Sequence, residues 1–281
     1  MLNGGLRFGN GERRTHVVTE RRPATVTPAG AGQRHMIASL AQRQLEGELM
    51  DDPAVDAHAH VAALRGLRRI NRLSRTAAAL WPPIARIIDA RPGGTLSLLD
   101  IATGGGDVPL SLWRRARRRP GLALAIDGCD ISPTALRFAA AQAARTGAPL
   151  RFFRLDVLTE PIPARYDIIT ASLFLHHLTD TQIVALLRTL AAHADHLLIS
   201  DLIRSRAGYG LALLGTRLLS ASRIVHVDGP RSVRAALTVP EARALAAAAG
   251  LNDALFARRW PSRFLMTWAR PSLAAGGSHE P

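Results

Sequence analysis

Three of the few residues able to do chemistry are carboxylates at the ends of apolar runs. Asp100 closes Leu96-Ser97-Leu98-Leu99 and opens into Ile101-Ala102-Thr103-Gly104-Gly105-Gly106-Asp107. Asp130 follows Ile126-Asp127-Gly128-Cys129, and Asp156 follows Phe152-Phe153-Arg154-Leu155. An apolar run that ends in an acid and glycines reads as a strand passing into a loop. Glycine lets that loop turn tightly and approach a ligand with no Cβ in the way. The next helix then presents free N–H groups to the same ligand. A carboxylate after the second strand can accept hydrogen bonds from both hydroxyls of a ribose, which assigns that task to Asp130. The dinucleotide spacing Gly-x-Gly-x-x-Gly is not met, because the sixth residue is Pro109 counted from Gly104 and Asp107 counted from Ala102. Asp100 and Asp107 beside the loop disfavour a diphosphate and suit a cationic cofactor that carries an amino acid. His176 and His177, in Ser172-Leu173-Phe174-Leu175-His176-His177-Leu178, are the candidate catalytic bases, since imidazole takes a proton near neutrality. Packing beside a cofactor, or capping the following helix, is the alternative role for the pair.

Composition narrows the chemistry further. The 281 residues contain no lysine, so all 36 basic residues are arginine, against 22 acids, for a net charge of +14. A lysine Schiff base and a P-loop lysine are both excluded. The single cysteine, Cys129, excludes an internal disulfide and a cysteine-rich zinc site, and no metal is expected. Arginine, alanine, glycine and proline share GC-rich codons, so the charge reads as codon usage rather than as a nucleic-acid footprint. The arginines are spread along the chain, and aromatics are only 5%.

The elements that must position these residues follow from periodicity. Residues 1–34 read as a disordered arm and 272–281 as a disordered tail. Neither a secretory leader nor a membrane span of about 18 apolar residues is present, so a cytoplasmic location is expected. Residues 35–92 read as a helical lid: one helix near 36–49, a second near 57–79, a break at Trp81-Pro82-Pro83 and a short helix near 84–90. From 93 to 271, strand and helix alternate, with a helical insertion at about 203–237. Arg204, Arg206, Arg217, Arg223, Arg231, Arg234 and His226 of that insertion are candidates to orient an acceptor. The alternation implies a Rossmann-like, mostly parallel α/β sheet with helices on both faces.

On these residues the stretch 95–269 resembles the class I S-adenosylmethionine-dependent methyltransferases, in a small-molecule branch similar to the ubiquinone/menaquinone methyltransferases. Asp100 to Gly106 matches the family's acidic-x-Gly-x-Gly-x-Gly motif, with Ala102 in place of the first glycine; an alanine there should take a negative φ. The resemblance implies seven strands with the last one antiparallel. It implies S-adenosyl-L-methionine as cofactor, held by Asp100, Ala102, Thr103, Gly104, Gly106, Asp130, Ile131, Asp156, Val157 and Ser172. It places a small-molecule methyl acceptor near His177 and His176, with methyl transfer to oxygen or carbon; an RNA- or protein-modifying methyltransferase, or a non-catalytic cofactor-binding protein, is the alternative.

Overall fold

The computed structural model describes residues 40–271, apart from 53, 92 and 120–122. The arm, the tail and residues 36–39 lie outside them. After a single 3-10 turn at Leu49–Asp51, two α-helices follow, α1 (Ala57–Leu73) and α2 (Thr76–Asp89). The alternating region then runs β1 (Thr95–Ile101), α3 (Asp107–Ala116), β2 (Ala123–Asp130), α4 (Pro133–Thr146), β3 (Arg151–Arg154), β4 (Tyr166–Ser172), α5 (Asp180–His193) and β5 (Ala194–Leu202). The insertion forms α6 (Arg206–Leu219) and α7 (Arg223–Ala235), followed by α8 (Val239–Ala248), β6 (Leu255–Arg259) and β7 (Arg263–Ala269).

The sheet order is β3-β2-β1-β4-β5-β7-β6. The first five strands are parallel, and β7 is antiparallel to both its neighbours. Strand order reverses between β1 and β4, and ligands bind beyond the carboxyl ends of the strands at such a point. Alternation along the strands gives each face its own core. Leu96, Leu98, Ile126, Ile168 and Leu198 pack against Leu80, Ile84 and Ile88 of α2 and Leu112 of α3. Leu99, Ile101, Ile169, Leu197 and Ile199 pack against Ile183, Leu186 and Leu190 of α5 and Ala242 and Ala246 of α8. Sequence-local caps start the helices: Ser132 accepts the Ala135 N–H, and Thr179/Gln182 and Thr238/Glu241 form capping boxes.

The N-terminal segment departs from its expected pattern. The break lies at Ser74-Arg75, where Arg75 takes a left-handed φ of 55°, and α2 runs on through Pro82 and Pro83. The helix expected near 36–49 does not form over 43–48. That stretch lies along α7: the Gln44 N–H donates to the Arg234 carbonyl, and Glu46 pairs with Arg231 and Arg234. Tertiary partners here override helix propensity. Among the described residues, no helix is long and apolar enough to cross a membrane.

Candidate functional site

The three strand-end acids converge on one cavity of about 770 Å³. Asp130 Oδ2 accepts the Gly104 N–H at 2.8 Å, and its Oδ1 accepts the Ser132 N–H at 2.9 Å. These bonds fix the carboxylate and leave each oxygen a lone pair for a ligand hydroxyl. Burial raises the Asp130 pKa, and the two N–H donors oppose that rise. Gly104 takes a φ of +52° and has open space where a Cβ would stand. Ala102 also takes a positive φ, 49°, which corrects the expectation of a negative one. The turn out of β1 imposes a left-handed residue there, and alanine tolerates it at a cost of about 1 kcal/mol.

Asp100 plays a different part from its neighbours. It is buried, and its two oxygens accept the hydroxyls of Thr170 at 2.6 Å and Thr103 at 2.8 Å. It therefore ties the β1 loop to β4. Burial pushes its carboxyl up to about 7, against the pull of both hydroxyls. Asp156 accepts the Leu158 N–H and the Thr159 hydroxyl, which closes the turn after β3. Ala102, Thr103, Ile131, Val157 and Ser172 all line the cavity. The Ser172 hydroxyl is buried with no hydrogen-bond partner among the described residues. Gly106 does not line the cavity: a Cβ there would meet Ala139 and Phe152, so its glycine serves packing of α3 against α4 and β3.

A donor set of this kind fits S-adenosylmethionine. Asp130 offers acceptors, Gly104 offers a bare backbone, the Ser172 hydroxyl is unspent, and the acids suit a cation.

Two histidines face the same cavity from the turn after β4. The His176 ring is buried; its Nδ1 lies 2.7 Å from Asp201 Oδ1, and its Nε2 lies 3.6 Å from Glu48 Oε1. Burial alone would lower its pKa, but Asp201 and Glu48 outweigh burial and push it up to about 10. A ring held charged at neutral pH does not serve as a free base, which removes His176 from that role. His177 is half-buried, with Nδ1 at 3.0 Å from Asp51 Oδ2 and Nε2 at 3.9 Å from Glu48 Oε2. The two rings stack with centroids 4.3 Å apart.

Glu48 and Asp51 were missed by sequence reasoning: Glu48 lay in the segment read as a helix near 36–49, and Asp51 lay just beyond its end. Arg43 anchors that segment. Its guanidinium donates to the carbonyls of Ala235, Leu175 and Leu178 and pairs with Asp180 at 2.7 Å. Asp228 of α7 then accepts the Leu49 and Met50 N–H groups, and the Ser232 hydroxyl donates to Glu48.

Apolar walls complete the cavity. Leu64, Leu67 and Ile70 of α1 line it, as do Phe174, Leu211 and Val233. None of the insertion arginines nominated from sequence, nor His226, lines it. Arg204, for example, is spent on Glu241 and the Ala236 carbonyl. The arginine that does face the cavity is Arg263 of β7, buried, with its Nε unpartnered among the described residues.

Residues 98–195 match the family described as "Methyltransferase domain". No curated protein matches the chain by sequence. Among solved structures, the apo form of the S-adenosylmethionine-dependent methyltransferase SibL aligns with a TM-score of 0.57 at 17% identity, over 88% of this chain and 71% of that one. The O-methyltransferase NcsB1 of neocarzinostatin biosynthesis, in complex with S-adenosyl-L-homocysteine and 1,4-dihydroxy-2-naphthoic acid, aligns at 0.53 and 19%, over 76% and 58%. Magnesium protoporphyrin IX methyltransferase from Synechocystis PCC 6803, with bound S-adenosylhomocysteine, aligns at 0.50 and 17%, over 86% and 95%. At these identities the likeness is one of fold.

Proposed function

We propose that this chain, whose residues 98–195 match a methyltransferase domain, is a class I methyltransferase that uses S-adenosylmethionine to methylate an oxygen of a hydrophobic small molecule. One observation carries the reading: a single cavity runs from the Gly104–Asp130 loop to the Glu48–His176–His177 cluster between apolar walls. The cofactor supplies an electrophilic methyl group on a sulfonium.

On this reading Asp130 receives the ribose hydroxyls. Ile131 and Val157 flank the base, Asp156 accepts from its amino group, and Asp100 with Thr103 keeps the loop in register. Segment 40–91 and the insertion at about 203–237 cover the site and exclude water, which aligns the acceptor and strengthens polar contacts. An O–H acceptor must lose its proton as the methyl group arrives, and the half-buried His177 with Glu48 is where it does so. NcsB1, with its bound dihydroxynaphthoate, supports an aromatic hydroxyl as the acceptor type. The ionisable side chains of this wall are mostly acids and histidines, Glu48, Asp51, Asp130, His176 and His177, which suits a neutral or phenolic acceptor better than a nucleic acid. The free, buried Cys129 is compatible with a reducing cytoplasm.

The test is incubation with S-adenosylmethionine and a panel of hydroxylated naphthoates, flavonoids and simple phenols, with S-adenosylhomocysteine release as readout. Release that depends on at least one aromatic hydroxyl compound supports the reading. Release driven only by RNA or protein substrates overturns it.

A further inference from the structure

We propose that Glu48, His176 and His177 form a binding site for one divalent transition-metal ion of the zinc class. One ligand atom from each lies within 4.8 Å of the others. Around a tetrahedral ion with bonds of about 2.0–2.1 Å, ligand atoms stand about 3.4 Å apart. The Glu48 oxygens lie at 3.6 Å from His176 Nε2 and 3.9 Å from His177 Nε2, close to that spacing.

The surroundings of the two rings carry the argument beyond spacing. A metal-bound imidazole usually donates its other N–H to a carboxylate, which fixes the tautomer and makes the ligating nitrogen more basic. Both rings have this arrangement: Asp201 sits on Nδ1 of His176, and Asp51 sits on Nδ1 of His177. With each Nδ1 bearing the proton, both Nε2 lone pairs point to the side where Glu48 stands. Without an ion, His176 carries a second proton on Nε2; an ion would take the place of that proton, which leaves to solvent, and the three carboxylates around the two rings then balance the divalent charge. Arg43, which donates to the carbonyls of this turn, is committed to them and to Asp180, and Arg263 of β7 acts on Asp201 rather than on Glu48 or Asp51.

Three protein ligands leave a fourth position, and the cluster lines the cavity, so that position faces the acceptor. With an ion bound, Glu48 and His177 are ligands and no longer take the acceptor's proton; the acceptor oxygen would bind the ion as phenolate or enolate, its proton lost to solvent, which selects acceptors with a phenolic or enolic hydroxyl. This last statement rests on the acceptor reading given above; metal binding itself does not.

The test uses the full chain, freed of metal by chelator and then titrated with Co²⁺ at about pH 7.5 without cofactor or acceptor. Visible absorption and calorimetry are the readouts, and circular dichroism checks the fold of each variant. Expected is one Co²⁺ per chain with d–d bands of low coordination number, displaced by Zn²⁺. Asp201→Asn weakens binding by about 10- to 100-fold, and Glu48→Gln and His177→Ala weaken it by at least as much. Absence of stoichiometric uptake, which would mean an imidazolium held between carboxylates, overturns the proposal. So does uptake unchanged in either Glu48→Gln or His177→Ala. Cofactor affinity measured on the same samples separates failure of this site from failure of the methyltransferase reading.

Discussion

The cavity has two halves that were built in different ways. On the cofactor side, Asp100, Asp130 and Asp156 each stand at the end of a strand and bond within a few residues or to the adjacent strand. On the acceptor side, Glu48 and Asp51 reach His176 and His177 across more than a hundred residues, and Asp201, Asp228 and Ser232 hold them from two further elements. Local hydrogen bonds make the first half a property of the sheet. The second half exists only when four separate segments are docked. Substitutions should therefore separate the two.

The largest separation is expected from His177→Ala. On the proposed reading His177 handles the acceptor's proton, and its removal should lower turnover by about 10²- to 10⁴-fold. Cofactor affinity should stay within a factor of about two of the parent, read by calorimetry. Next is Arg43→Ala, which unties the segment carrying Glu48 from the histidine turn. Loss of its charged hydrogen bonds should cost about 2–3 kcal/mol in denaturant unfolding. The same variant should raise the acceptor KM more than the cofactor Kd.

Legibility in the sequence followed the same division. The strand ends, the glycine turn and the capped helices were readable because their signals lie within a few residues of one another. The loop that carries Asp130 could be assigned for that reason. Glu48 was not readable, since residues 43–48 are kept out of a helix by distant partners: α7 engages Gln44 and Glu46, and Arg43 binds the turn after β4. Gly106 followed the family spacing, yet its neighbours Ala139 and Phe152 come from later elements and turn it to packing. No local signal singled out Arg263; the antiparallel pairing of β7 with β5 is what places it at the cavity.

A smaller effect sharpens the account of the cofactor half. Asp100 has a native pKa of about 7 against an ordinary 3.8, so the fold binds its proton more tightly than the unfolded chain does. That contribution is fully present below about pH 4 and is lost as pH rises through about 7. Asp100→Asn should flatten this part of the Tm profile between about pH 5 and 7.5, while both threonine hydroxyls keep a polar partner. A variant that retains the full slope would place the titration elsewhere.

The most direct test is calorimetric titration of S-adenosylmethionine into the parent chain and into Asp130→Ala, with Asp130→Asn beside it to keep the loop's shape. One molecule per parent chain is expected, with affinity falling about 10- to 100-fold in Asp130→Ala. Equal affinity in parent and Asp130→Ala, or no binding to a folded parent, would contradict the assignment of the Gly104–Asp130 loop as the cofactor site.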